Sequence, residues 1–113
     1  MAILFTGRKA DLTPALRDLA EEKLGKIHRF LSEDPEAHVI LAREKHRHLA
    51  EVVAHARAGT LTARATGGDF REALLICCER VLGQAKKLHA RLARERRGRG
   101  RRGKARGAAA LLP

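Results

Sequence analysis

Six histidines, two adjacent cysteines and a large surplus of cations are the side chains here that could carry chemistry. Cys77 and Cys78 are neighbours, and sequence neighbours do not meet the geometry of a disulfide with each other. They read as reduced packing residues. Among the histidines, His46-Arg47-His48 is the tightest cluster. No second pair follows it at zinc-finger spacing, and Cys77-Cys78 lacks the residues that separate paired thiolate ligands, so no metal or other cofactor is expected. Ser32 is the only serine, in a loop context with no base placed beside it by any motif. Asp11, Asp18, Glu21 and Glu22 have the positions of helix-entry and surface carboxylates. No catalytic constellation emerges, and the chain reads as a non-enzyme without a small-molecule substrate.

The cations are the stronger signal. Twenty-four Lys and Arg stand against 13 Asp and Glu, a formal charge of +11 in 113 residues. Such a chain is drawn to polyanions, with nucleic acid the leading partner. An anionic membrane competes, but there is no run of about 18 apolar residues, and Met1-Ala2-Ile3-Leu4-Phe5 is too short for a signal peptide's apolar region. A cytoplasmic location is expected. The charge is also unevenly placed. Residues 94–107 hold eight Arg or Lys against Glu95, a net +7, which leaves +4 for residues 1–93. In Arg96-Arg97-Gly98-Arg99-Gly100-Arg101-Arg102-Gly103-Lys104, glycine loosens the backbone and like charges repel, with nothing apolar to bury. One domain over 1–93 and a flexible, disordered basic tail over 94–113 are expected.

The elements that must position the remaining cations follow from periodicity. Ile3 and Phe5 alternate before Gly7, as in a short strand. Thr13-Pro14 has the form of an N-cap followed by proline at the first helical position. Leu16, Ala20, Leu24, Ile27 and Leu31, widened by Leu19 and Phe30, make one apolar stripe, and Asp34-Pro35 should close that helix. Period two then returns. Ala37, Val39 and Leu41 oppose His38, Ile40 and Ala42; Val52, Ala54 and Ala56 form a further strand, and Gly59-Thr60 should break the run before Leu61, Ala63 and Ala65. Asp69 with Glu72 makes a capping-box arrangement that opens a long helix. Its stripe is Phe70, Leu74, Cys77, Val81, Ala85, Leu88 and Leu92. The order implies an α+β, β-α-β-β-β-α sandwich, a four-stranded sheet with two helices packed on one face.

On those helices Lys23 and Lys26 lie along one side of the first stripe, with Arg29 on its exposed back. On the second, Arg80, Lys87 and Arg91 lie beside each other and Lys86 near the opposite flank. Packed side by side, the helices are expected to present a basic ridge. The chain has no Trp and no Tyr, and its three Phe fit the core, so an aromatic platform for single strands is not expected. Folded RNA, met by shape and backbone charge, fits better.

Several stretches together resemble the ribosome hibernation promoting factors, also called ribosome-associated inhibitors or sigma-54 modulation proteins. They are Phe5-Thr6-Gly7, Asp11-Leu12-Thr13-Pro14-Ala15-Leu16-Arg17, Lys23-Leu24-Gly25-Lys26-Ile27, Glu44-Lys45, and Gly67-Gly68-Asp69-Phe70 leading to Ala73-Leu74 and the basic helix through Arg91. The resemblance runs over residues 2–93. It implies a non-enzymatic factor, a monomer off the ribosome, that binds the small ribosomal subunit and its ribosomal RNA in the channel for messenger and transfer RNA. Translation is then inhibited in stationary phase or stress. Carried over by position, the implied RNA contacts include Arg17, Lys23, Lys26, Arg80, Lys87 and Arg91, to which clustering adds Arg29 and Lys86. Arg71 and Leu75 depart from residues common at those positions in the family, and the chain resembles a short form without the dimerising C-terminal domain. Two alternatives are a general RNA-binding protein or chaperone without a ribosomal address, and a peptidyl-tRNA hydrolase. The latter needs a Gly-Gly-Gln motif, where this chain has Gly67-Gly68-Asp69 with Asp69 explained as a cap.

Overall fold

The computed structural model describes residues 2–105, with side chains as far as Arg97. Seven elements follow in order: β1 (Ile3–Arg8), α1 (Pro14–Gly25), α2 (Ile27–Leu31), β2 (Glu36–Glu44), β3 (Arg47–Ala56), β4 (Gly59–Gly67) and α3 (Phe70–Ala105). The strands form one sheet in the order β1-β2-β3-β4. β1 and β2 pair in parallel, so the chain between them must cross over the sheet, and α1 and α2 are that crossover. β2, β3 and β4 form an antiparallel meander. The expected α+β sandwich is the observed fold.

Local chemistry sets the helix starts. Thr13 is extended, with Pro14 in the first turn, and its hydroxyl accepts from the Leu16 amide at 3.2 Å. At α3, the Asp69 carboxylate accepts from the Glu72 amide at 2.8 Å, while Glu72 reaches back to the Gly68 amide at 2.7 Å. That is one residue further back than the usual reciprocal box. Space is short at this turn: a Cβ on Gly67 would lie 2.8 Å from the Ala73 nitrogen.

Packing follows the two stripes. Leu16, Leu19, Ala20, Leu24 and Ile27 meet Ala73, Leu74, Cys77, Cys78, Val81, Ala85 and Leu88, and both sets cover the inward residues Val39, Leu41, Val52, Ala54, Leu61 and Ala63. Cys77 and Cys78 are free thiols in that core, as expected. The Cys77 thiol lies 3.1 Å from the Ala63 carbonyl, which it can donate to. Burial pushes the Cys77 thiol from 9.0 up to about 11. Burial, then the neighbouring Cys77, push Cys78 up to about 12. Leu75 packs half-buried against the core, and Arg71 is exposed.

Three boundaries differ from expectation. The first helix is interrupted at Lys26, where bonds from Lys26 to the Lys23 carbonyl and from Arg29 to the Lys26 carbonyl tighten the backbone to three-residue spacing, and it ends at Ser32 in the left-handed region rather than at Asp34-Pro35. The β3–β4 turn is Arg57-Ala58, not Gly59-Thr60: Gly59 pairs with Ala56 and Thr60 with His55, so both already belong to the strand. The backbone of α3 continues past residue 93 to Ala105, so the expected boundary at 93 falls inside a helix. Residues 106–113 of the expected tail lie outside the described residues.

Candidate nucleic-acid interface

α1 and α3 run in the same direction, because each follows a strand of the same sense and returns over the sheet. Lys23 is half-buried, and its charge is felt by Cys78 on α3, where it pulls the thiol pKa back down. Further along, the rings of Phe30 and His89 meet at 6.5 Å between centroids. Lys26, also half-buried, lies between Lys23 and Phe30 along the chain. Both lysines fit the pattern of apolar stems covering packed residues while the ammonium group reaches water. Lys86 is exposed on the side of α3 nearer the seam with α1, about 100° around the helix from Lys87.

Arg80, Lys87 and Arg91 belong to the other flank of α3, above the β4 edge. Arg80 Nη1 donates to the Arg64 carbonyl at 2.6 Å. One turn on, Gln84 accepts from the Thr62 amide at 3.0 Å and donates to its carbonyl at 2.6 Å. Beyond Gln84, the β3–β4 turn and α3 enclose an open concavity of about 530 Å³ lined by Gly59, Thr60, Lys87, Arg91 and Arg94. Three cations around a concave surface suit a phosphate diester better than a base, since no aromatic ring lines it.

The other two expected contacts stand apart. The Arg17 guanidinium lies 4.9 Å from the centroid of the Phe5 ring, on the β1 side of α1. Arg29 is exposed on α2. The single ridge expected from helical projection is therefore a seam cluster, a flank cluster and two outlying arginines. Projection also missed Arg94, assigned to the tail, and the bracing role of Gln84. The signal for Gln84 was its spacing of four from Arg80, but its partner lies on a strand 22 residues away.

Among the described residues, no group of three or more His, Cys, Asp or Glu could hold a metal ion. No described helix is long and apolar enough to cross a membrane. Gly67-Gly68-Asp69 is a cap, its carboxylate held by the Glu72 amide.

Comparison with known proteins agrees with this architecture. The family described as Sigma 54 modulation protein / S30EA ribosomal protein matches residues 3–93. A ribosome hibernation promoting factor of Klebsiella oxytoca is 30% identical over 74 residues, covering 66% of this chain and 78% of that protein. The crystal structure of the Thermus thermophilus Protein Y N-terminal domain superposes with a TM-score of 0.71 at 26% identity, covering 77% of this chain and 98% of that one. A ribosomal subunit interface protein from Coxiella burnetii gives 0.68 at 27% identity, covering 80% and 99%. With cations mounted on paired helices over a four-stranded sheet, and a family match spanning the whole packed region, this chain belongs to the Sigma 54 modulation protein / S30EA ribosomal protein family.

Proposed function

We propose that this protein is a cytoplasmic ribosome hibernation factor. It binds ribosomal RNA of the small subunit in the messenger and transfer RNA channel and inhibits translation under starvation or stress. The supporting observation is the pair of co-directional helices carrying Lys23, Lys26 and Lys86 along their seam and Arg80, Lys87 and Arg91 along the outer flank. Cations mounted on packed elements match phosphates whose positions are themselves fixed, as in a folded RNA. Phosphate contacts supply affinity and orientation without reading bases, which suits a chain lacking Trp and Tyr. Arg17 and Arg29 extend the contact on either side. Inhibition then needs no chemistry: occupying the channel excludes the RNAs that translation requires. Residues 1–93 form the addressed domain, and 94–113 add charge that neutralises phosphates with less geometric demand.

Sedimentation of tagged protein from starved cells tests this directly. Ribosome binding places the protein in small-subunit, single-ribosome or paired-ribosome fractions, with chemical footprints in the channel. A protein that stays at the top of the gradient and protects RNA without positional preference would instead be a general RNA binder.

A further inference from the structure

The two edges of the sheet are finished differently. At the β4 edge, side chains of α3 occupy outward backbone groups: Arg80 takes the Arg64 carbonyl, and Gln84 takes both the amide and the carbonyl of Thr62. Among the described residues no side chain does this for β1. The Ala37 amide donates to the Ala2 carbonyl at 3.0 Å, and Ile3 stands opposite Ala37 in the parallel register. That phase turns the backbone groups of Leu4, Thr6 and Arg8 toward β2, and those of Ile3, Phe5 and Gly7 outward.

We infer that the outer edge of β1 is a docking site where an extended acidic segment of a partner protein adds a fifth strand. An open row of alternating donors and acceptors is the element that strand addition uses. Ile-Leu-Phe-Thr-Gly-Arg has no proline, no helix side chain bonds its outward groups among the described residues, and its charges are confined to the end at Arg8 and Lys9. Leu4, at 64% exposed, is the large apolar residue left open among the described residues. Its other flank borders a cleft of about 490 Å³ over β2 and β3, with Glu36, His38 and His55. Charge selects the partner. Arg8 and Lys9 are exposed at the end of β1. A second copy of this chain would bring the same cations together at a net +11 each, whereas an acidic strand meets them favourably. RNA offers no ladder of peptide donors and acceptors, so this edge is distinct from the basic helices.

The test uses the full chain against displayed seven-residue peptides, one set alternating apolar and acidic residues and a matched set alternating apolar and basic ones. Enrichment of the acidic set is expected. A selected peptide should slow amide exchange at Ile3, Phe5 and Gly7 at least tenfold, with Leu4 and Thr6 already protected by β2. Leu4→Asn, at an exposed site that leaves packing intact, should weaken the peptide at least tenfold while RNA binding is unchanged, and Arg8→Glu should remove the acidic preference. The inference is overturned by enrichment of neither set, by protection elsewhere, or by equal binding to Leu4→Asn. Doubling of mass with concentration, with the same amides protected and no peptide present, would make the occupant a second copy and equally overturn it.

Discussion

Along the α1–α3 seam, Lys23 and Lys26 are half-buried and Lys23 lies close enough to influence Cys78; along the β4 flank, Lys87 and Arg91 stand exposed around an open concavity. The two clusters use the same residue types for different physical work. A seam lysine lays its stem over packed side chains, so its ammonium group is held near one position and its removal also uncovers apolar surface. A flank cation is exposed and contributes chiefly charge. Arg80 is intermediate, since one of its donors is committed to the Arg64 carbonyl. Charge count alone does not distinguish these roles; burial does.

The largest expected effect erases the comparison. Replacing Lys23, Lys26, Lys87 and Arg91 together by Gln should weaken binding to purified small subunits about a thousandfold at near-physiological salt. It should also abolish competition with transfer RNA, because some four phosphate contacts and their counterions are lost. Competition surviving in that variant would move the address away from both clusters.

Deleting residues 94–113 should weaken binding by about a hundredfold while leaving the channel footprint in place. If about half the arm's cations contact phosphate, the slope of log affinity against log salt should fall by roughly three to four. A lost footprint would mean that the address lies in the arm.

Single substitutions then separate seam from flank. Lys87→Gln and Lys23→Gln should each cost about fivefold in affinity and about one unit of salt slope. Only Lys23→Gln should also lower the thermal midpoint, measured by circular dichroism. Equal midpoints for the two variants would remove the structural distinction between the clusters.

Asp69→Ala should cost about 1 kcal/mol in urea unfolding by removing the α3 cap, with the RNA footprint unchanged. Loss of a peptide-release activity on that substitution would contradict the capping role.

A further effect is alkaline. Cys77 and Cys78 are raised to about 11 and about 12, above the 9.0 of the open chain, so the native state holds protons that the unfolded state releases. Their contribution is complete below about pH 9 and is lost as pH rises toward 11 and 12. Thermal midpoints should fall over that window, and both thiols should resist alkylation at pH 8 until the protein is unfolded. Lys23→Met should make Cys78 more reluctant still to ionise, because Lys23 lowers its pKa in the wild type.

The amino-acid sequence by itself determined the features governed by neighbours within a few residues. Thr13-Pro14 and Asp69 with Glu72 cap helices through bonds spanning three or four positions, and both stripes bury the residues at their centres, with Phe30, Leu31, Phe70 and Leu92 half-buried at the ends. It also determined a charge that selects polyanions. Tertiary structure alone decided the turn at Arg57-Ala58 and the division of the cations between seam and flank. Each depends on which distant backbone or side chain arrives alongside. Strand register moved the turn by pairing Gly59 with Ala56. The co-directional packing of α1 on α3 drew Lys23 toward Cys78. The position of β4 beneath α3 gave Arg80 and Gln84 backbone partners 16 and 22 residues away, which closed one edge of the sheet. A periodic pattern states which way a residue faces along its own element; what it faces is supplied by the rest of the chain.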